Sequence, residues 1–392
     1  MTTNEIISLD KEYIMQTYGR LDIAPVEGKS ATMVDADRRV FIDFTSGIGV
    51  NSLGWCDEGW IRAVSDQLSS IQHMSNYFYC EKAGMLAEKL VKLSGLKRVF
   101  FGNSGAEANE GAIKLARKYS FDKYGNGRAT IISLVNSFHG RTVTTLAATG
   151  QEVFHQYFYP FTEGFAYVPA NDLQALENAL DESVCAVIAE PIQGEGGVNV
   201  LDAEYVKSLR KLCDERDILL IFDEVQTGVG RTGKFFAYEN FGVKPDIVTL
   251  AKGLGGGLPI GAFIAGEKAE NTLGAGMHGS TFGANPVVCA GANEVVDRVS
   301  KPDFLAEVKA KGDFIREKLS TANLSKVVGV RGMGLMIGIQ VAGNPKDYLH
   351  ECADAGLLVL TAGKDVIRLL PPLTITYAEI GRGLDILAKV LK

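Results

Sequence analysis

Lys252 stands between an apolar run, Ile247-Val-Thr-Leu-Ala251, and a glycine-rich turn, Gly253-Leu-Gly-Gly-Gly257. An amine at the carboxyl end of a buried strand loses hydration, gives up its proton near neutral pH and can attack a carbonyl to form a Schiff base. Upstream, Ile218-Leu-Leu-Ile-Phe222 reads as a second buried strand with Asp223-Glu-Val-Gln226 at its carboxyl end, the edge where open α/β sheets place ligands. A carboxylate leaving so apolar a run needs a partner, and a protonated pyridine nitrogen is a suitable one. Asp223 would then keep the ring an electron sink. Alone, Lys252 reads as a surface lysine before a loop and Asp223 as a helix N-cap. Together they point to pyridoxal phosphate.

A third run, Phe100-Phe-Gly-Asn-Ser104-Gly-Ala-Glu107, leads into an amphipathic stretch through Ile113, Leu115, Ala116 and Tyr119. Ser104 and Glu107 have capping-box spacing, which by itself would account for the pattern. Small residues at a helix start also leave backbone N–H groups open to an anion, so Ser104, Gly105 and Ala106 are candidates for a phosphate. The run Gly253 to Gly257 lacks both the GxGxxG spacing and the GK[ST] ending of nucleotide loops.

These residues need strands and helices to bring them together. Apolar strands alternate with amphipathic helices from about residue 60 to residue 280, the signature of an α/β fold with a mainly parallel sheet. Candidate strands include Arg98 to Phe101, Thr130 to Leu134, Val184 to Ala189, Ile218 to Phe222, Ile247 to Ala251 and Gly261 to Ala265. Asn285-Pro286 marks a break. One long helical stretch is expected from there to about Leu319, then a final α+β unit.

With 392 residues, 46% of them hydrophobic, the chain can bury a large core and divide into two unequal domains. Net charge −7, from 40 basic and 47 acidic residues, gives no electrostatic footprint for nucleic acid. No segment reaches the roughly 18 apolar residues of a membrane span, and the polar start Met1-Thr-Thr-Asn-Glu5 does not read as a signal peptide. A cytoplasmic protein is expected. Six cysteines show neither CxxC nor a His-rich metal spacing, so they read as reduced thiols and no metal site is expected.

In joint order and spacing the motifs resemble those of the class III, or ω-amino acid, aminotransferases, pyridoxal phosphate enzymes of fold type I. The matching segments are Gly47 to Asn51, Asn103 to Glu110, Phe138-His-Gly-Arg-Thr142, Glu190-Pro-Ile-Gln-Gly-Glu-Gly-Gly197, Asp223 to Gly233, Lys252, Gly279-Ser-Thr-Phe-Gly283 and Ile367-Arg-Leu-Leu-Pro-Pro372. They cover almost the whole chain. The resemblance implies an N-terminal segment (1–55) packing with the small domain, a large cofactor-binding domain (56–284) with a seven-stranded-type sheet, and a C-terminal small α+β domain (285–392). It also implies that Lys252 carries the cofactor and shuttles a proton, that Val225 and Phe138 flank its ring, and that Gln226 bonds its phenolic oxygen. Thr281, with Ser280 beside it, resembles the threonine that reaches the phosphate of a neighbouring subunit, so a homodimer with shared active sites is expected. Ala284 departs from a position where relatives often carry glycine.

Substrate choice rests on arginines, whose guanidinium groups bind carboxylates bidentately. By resemblance Arg141 holds the carboxylate distal to the reacting amine, and Arg368 takes the α-carboxylate of glutamate or 2-oxoglutarate. Glu195 pairs with Arg368 when the substrate presents a terminal amine instead. Ile48 stands where ornithine-specific relatives carry a tyrosine that contacts a free α-amino group, which favours an N-acylated diamine, N2-acetyl-L-ornithine, as amino donor. Tyr18 is a further pocket candidate, and Trp55 replaces a histidine usual in relatives, with no role evident from sequence. Other ω-aminotransferases, for N-succinylornithine, 4-aminobutyrate or ornithine, share every residue named. An aminomutase would not need two carboxylate-binding arginines. A non-catalytic protein on this scaffold would be expected to have lost Lys252 or Asp223, and a dehydrogenase would need a GxGxxG unit that is missing.

Overall fold

Seven strands carry the site. In the computed structural model, which describes residues 1–392, they lie in the spatial order Arg98–Gly102, Gly261–Ala265, Ile247–Leu250, Leu219–Asp223, Val184–Ala189, Thr130–Leu134 and Phe165–Val168. The last five are mutually parallel, while Gly261–Ala265 runs antiparallel to both of its neighbours. Val184–Ala189 and Leu219–Asp223 are buried at every position. Alternation explains why: Leu220 and Phe222 enter one apolar core and Leu219 and Ile221 a second, so neither face of the strand can be polar. The second core includes Ala112, Ile113, Leu115 and Ala116 of the helix Gly105–Tyr124.

One strand escapes the sequence reading, and one expected helical stretch is divided. Phe165–Val168 is an edge strand with only Val168 buried, too short and too wet to show as an apolar run. The long helical stretch expected after Asn285 is present as two helices, Pro286–Val299 and Pro302–Thr321. Pro302 offers no N–H to continue the first helix and disfavours helical geometry in Lys301, whose ψ is 131°.

Besides a two-stranded ribbon of Ile192–Gln193 with Asn199–Val200, there are two four-stranded sheets. One joins Pro25–Lys29, Thr32–Asp35 and Val40–Asp43 to Leu357–Leu358, which pairs in parallel with Val40–Asp43 and so ties the two ends of the chain together. The other joins Val327–Met333, Met336–Val341, Val366–Leu369 and Leu360–Ala362, and it carries Arg368. Arg231, buried near Asp43, clamps this region to the large sheet. Its Nη1 donates to the carbonyls of Leu335 (3.1 Å) and Pro371 (2.5 Å), and burial pushes its pKa down to about 9 against the pull of Asp43. No helix is long and apolar enough to cross a membrane.

Candidate active site

Parallel pairing places Asp223 opposite Thr249, so Asp223 and Lys252 emerge from adjacent strands at the same carboxyl edge. Asp223 is 3% exposed, with both carboxylate oxygens bonded and Oδ1 able to accept one more donor. Its Oδ2 accepts from Asn109 Nδ2 (2.7 Å) and His139 Nδ1 (2.8 Å), and its Oδ1 accepts from the Val225 N–H (3.0 Å). Asn109 also donates to the His139 carbonyl (2.8 Å), which locks the three residues into one network. Neither Asn109 nor His139 was singled out in the sequence as a partner of Asp223. Both lie inside quoted motifs, but a motif does not reveal which of its residues meet across 114 or 84 positions.

The Lys252 side chain forms no hydrogen bond or ion pair, although its backbone carbonyl accepts from the Gly255 N–H (3.1 Å). Loss of hydration lowers its pKa, the Arg368 charge lowers it further, and Glu195, Asp223 and Glu190 oppose. Its φ of 41° is a left-handed backbone that a lysine adopts only when its surroundings impose it. Glu190 is buried beside this network and accepts from the N–H groups of Phe138 (2.9 Å) and Gly194 (3.2 Å). Burial pushes its carboxyl up to about 7, with His139 opposing and Asp223 adding to the effect.

Ser104 caps the helix Gly105–Tyr124: its Oγ accepts from the Glu107 N–H (3.2 Å), while Glu107 Oε2 accepts from the Asn103 N–H (2.8 Å). Gly105 and Ala106 lie in the first turn, where helix geometry supplies no acceptor for their N–H groups. Gly105 has to be glycine, since a Cβ there would stand 2.7 Å from Val225 Cγ1. Ser104, Gly105, Ala106, Phe138, Val225, Gln226, Asp223, Lys252 and Tyr18 all line one cavity of about 620 Å³. Pyridoxal phosphate fits this lining: an unpaired amine, a bonded carboxylate across from it, and a helix start with free N–H groups.

A second cavity, about 1370 Å³, shares Phe138, Arg141 and Lys252 with the first and adds Ile48 and Glu195. Arg368 donates to Glu195 Oε1 (2.7 Å) and to Gln226 Oε1 (3.0 Å), and Gln226 Nε2 donates to Glu195 Oε1 (3.2 Å). The Gln226 amide, which the family resemblance directs to a phenolic oxygen, is thus taken up by the Arg368 pair. For Glu195, burial raises the pKa, but Arg368 and then Lys252 outweigh it and hold the carboxyl low. Arg141 is exposed and has no acidic partner; its guanidinium lies over the rings of Phe138 and Phe154.

The remaining residues are more peripheral. Ile48 is 43% exposed and sits in a left-handed turn. Tyr18 is 73% exposed at the cavity rim. Ser280 Oγ accepts from Asn103 Nδ2 (3.1 Å) beside the helix start, whereas Thr281 is exposed and lines neither cavity of this chain. Trp55, without a role in the sequence, donates from Nε1 to Asp43 Oδ2 (2.9 Å).

A parallel-sheet fold with this lysine, carboxylate and helix start defines a pyridoxal phosphate enzyme. Residues 13–391 match the Aminotransferase class-III family, and the chain belongs to it: it is a pyridoxal phosphate-dependent transaminase. An acetylornithine aminotransferase of Haemophilus ducreyi is 55% identical over 394 residues, covering 100% of this chain and 99% of that protein. Among solved structures, an ornithine aminotransferase from Toxoplasma gondii ME49 superposes with TM-score 0.96 at 32% identity, over 100% of this chain and 95% of that one. An N-acetylornithine aminotransferase from Stenotrophomonas maltophilia K279a gives TM-score 0.85 at 38% identity over 98% of each.

Proposed function

We propose that this enzyme moves the terminal amino group of N2-acetyl-L-ornithine to 2-oxoglutarate, giving N-acetyl-L-glutamate 5-semialdehyde and L-glutamate, a step of arginine biosynthesis. The observation that carries the reading is the pairing of Arg368 with Glu195 beside Lys252, with Arg141 unpaired in the same cavity. Arg141 is available for the distal carboxylate of either substrate. A terminal amine meets Arg368 already neutralised by Glu195; the α-carboxylate of glutamate takes Glu195's place.

When bound, pyridoxal phosphate supplies a protonated ring that accepts the electron pair left when a C–H bond beside the substrate nitrogen breaks. The chain's own residues do the rest. Lys252 Nζ, whose pKa is lowered by burial, would take that proton from the substrate carbon and move it to the carbon on the other side of the shared nitrogen. Asp223, oriented by His139 and Asn109, would hold the ring's N–H, and the first-turn N–H groups of Gly105 and Ala106, with Ser104, would hold the phosphate. Val225 and Phe138, which line the same cavity, would flank the ring. Gln226, freed from Glu195 and Arg368, would be the donor to the phenolic oxygen.

Free ornithine is the competing reading, favoured by the higher TM-score of the Toxoplasma structure. That score reports backbone shape, whereas apolar Ile48 offers no partner to a free α-amino group. We further propose a homodimer in the cytoplasm, Thr281 of each copy completing the other's phosphate site, with small-domain segments 1–55 and 285–392 around the large domain 56–284. The test is the absorbance change of the loaded enzyme with N2-acetyl-L-ornithine, N2-succinyl-L-ornithine, L-ornithine or 4-aminobutyrate, each without keto acid. The acetylated diamine should react fastest by at least about tenfold; faster reaction of any of the others would overturn the substrate assignment.

A further inference from the structure

Arg141 is held by nothing but aromatic rings. Its guanidinium carbon lies 5.5 Å from the centroid of Phe138 and 4.5 Å from that of Phe154, and the two rings meet edge to face at 5.9 Å. Phe138 is fixed through its N–H to Glu190. Phe154 is fixed differently. The strip that leads to it is stitched to residues 136–139: Thr149 Oγ1 accepts from the His139 N–H (2.9 Å), the Gly150 carbonyl from the Asn136 N–H (2.7 Å), the Gly150 N–H donates to Ser137 Oγ (3.0 Å), and Gln151 Nε2 donates to the Ser137 carbonyl (2.9 Å). The approach is so close that a Cβ on Gly150 would stand 2.2 Å from the Leu134 carbonyl oxygen. Such stitching fixes the relative placement of both rings.

We propose that Phe154 is a positioning residue for the substrate: with Phe138 it forms an aromatic clamp that holds the Arg141 guanidinium, its donors free of protein acceptors, where a substrate carboxylate can take them. A cation over two faces keeps its charge available, because a ring quadrupole attracts the guanidinium without occupying its N–H groups. An acidic partner would hold Arg141 equally well but would compete with substrate. The proposal rests on the reading of Arg141 as the distal-carboxylate site.

The experiment compares two amines that differ by one carboxylate, N2-acetyl-L-ornithine and N-acetyl-1,4-diaminobutane, on loaded wild-type, Phe154→Leu, Phe154→Tyr and Arg141→Met enzymes. Leucine keeps apolar bulk and removes the ring face. Phe154→Leu should raise KM for N2-acetyl-L-ornithine about five- to tenfold with kcat within about twofold, leave kcat/KM for the carboxylate-free amine unchanged, and be rescued by Phe154→Tyr. Arg141→Met should abolish the preference for the carboxylate. Wild-type KM in Phe154→Leu while Arg141→Met loses the preference would overturn the clamp alone, as would equal losses for both amines. Retention of the preference in Arg141→Met would overturn the Arg141 reading and the clamp with it.

Discussion

Arg368 and Glu195 meet at 2.7 Å across 173 residues of sequence, one on the strand Val366–Leu369 and the other in the turn between Ile192–Gln193 and Asn199–Val200. The arginine side chain is 3% exposed and the glutamate 30%, so Glu195 is the more accessible member of the pair. Gln226 bonds both, and the Nε of Arg368 is buried without a partner, a donor left over for an incoming carboxylate.

Replacing Glu195 with Gln leaves the shape and removes the charge. Arg368 then greets every substrate as a free cation, which suits glutamate and repels a terminal ammonium. The ratio of kcat/KM for the diamine to that for glutamate is expected to fall about tenfold or more, read from the two half-reactions separately. An unchanged ratio would leave the pair as a structural contact.

Lys252→Met should reduce turnover by at least about 10²-fold. It should also stabilise the cofactor-free chain. The folded chain holds the Lys252 pKa below its ordinary 10.5, so it sheds the proton more readily than the unfolded chain. The resulting penalty is fully present below the folded pKa, shrinks as pH rises through it, and is gone above 10.5. Urea midpoints of the variant should therefore exceed those of the wild type at pH 7 and converge with them toward pH 10.5.

Much of the sheet is readable in sequence because its strands are apolar on both faces: Val184–Ala189 needs no alternation to be recognised. Phe165–Val168 escapes because an edge strand is short and half wet. Lys252 and Asp223 stand out as polar ends of apolar runs. Asn109, His139 and Glu190 do not, since their meaning lies in contacts across the sheet edge, which spacing along the chain does not encode. Phe154 carries no local signal at all; an aromatic residue after Gln-Glu-Val resembles any other until its ring is seen beneath Arg141.

Ala284 stands at φ 64°, a left-handed position that costs a residue with a Cβ about 1–2 kcal/mol. Glycine removes that strain but loosens the unfolded chain by about 0.4–1 kcal/mol. Ala284→Gly is accordingly expected to stabilise the protein by about 0.5 kcal/mol, seen as a small rise in denaturant midpoint at constant slope, with no change in either half-reaction.

Trp55 acts at a distance on the substrate wall. Ser46, Gly47, Ile48 and Gly49 form four consecutive left-handed residues, with φ of 42°, 63°, 65° and 76°. A β-branched residue does not hold that conformation unaided. Asp43 secures the turn: its Oδ1 accepts from the N–H groups of Thr45 (2.7 Å) and Ser46 (3.0 Å) and from Thr45 Oγ1 (2.7 Å). Its Oδ2 takes the Trp55 Nε1–H, and Ser46 Oγ donates to the Leu370 carbonyl (2.6 Å). The turn thereby presents Ile48 to the cavity that holds Lys252. Trp55→Phe keeps a ring against Gly28, where a Cβ would stand 2.8 Å from Trp55, and deletes only the donor. The buried Asp43 oxygen is left without it, at a cost of about 1–3 kcal/mol, and the strained turn relaxes. KM for N2-acetyl-L-ornithine should rise a few-fold with kcat nearly constant, because Ile48 shapes binding while Lys252 and Asp223 are untouched. A loss of kcat at unchanged KM would place Trp55 in the chemistry instead.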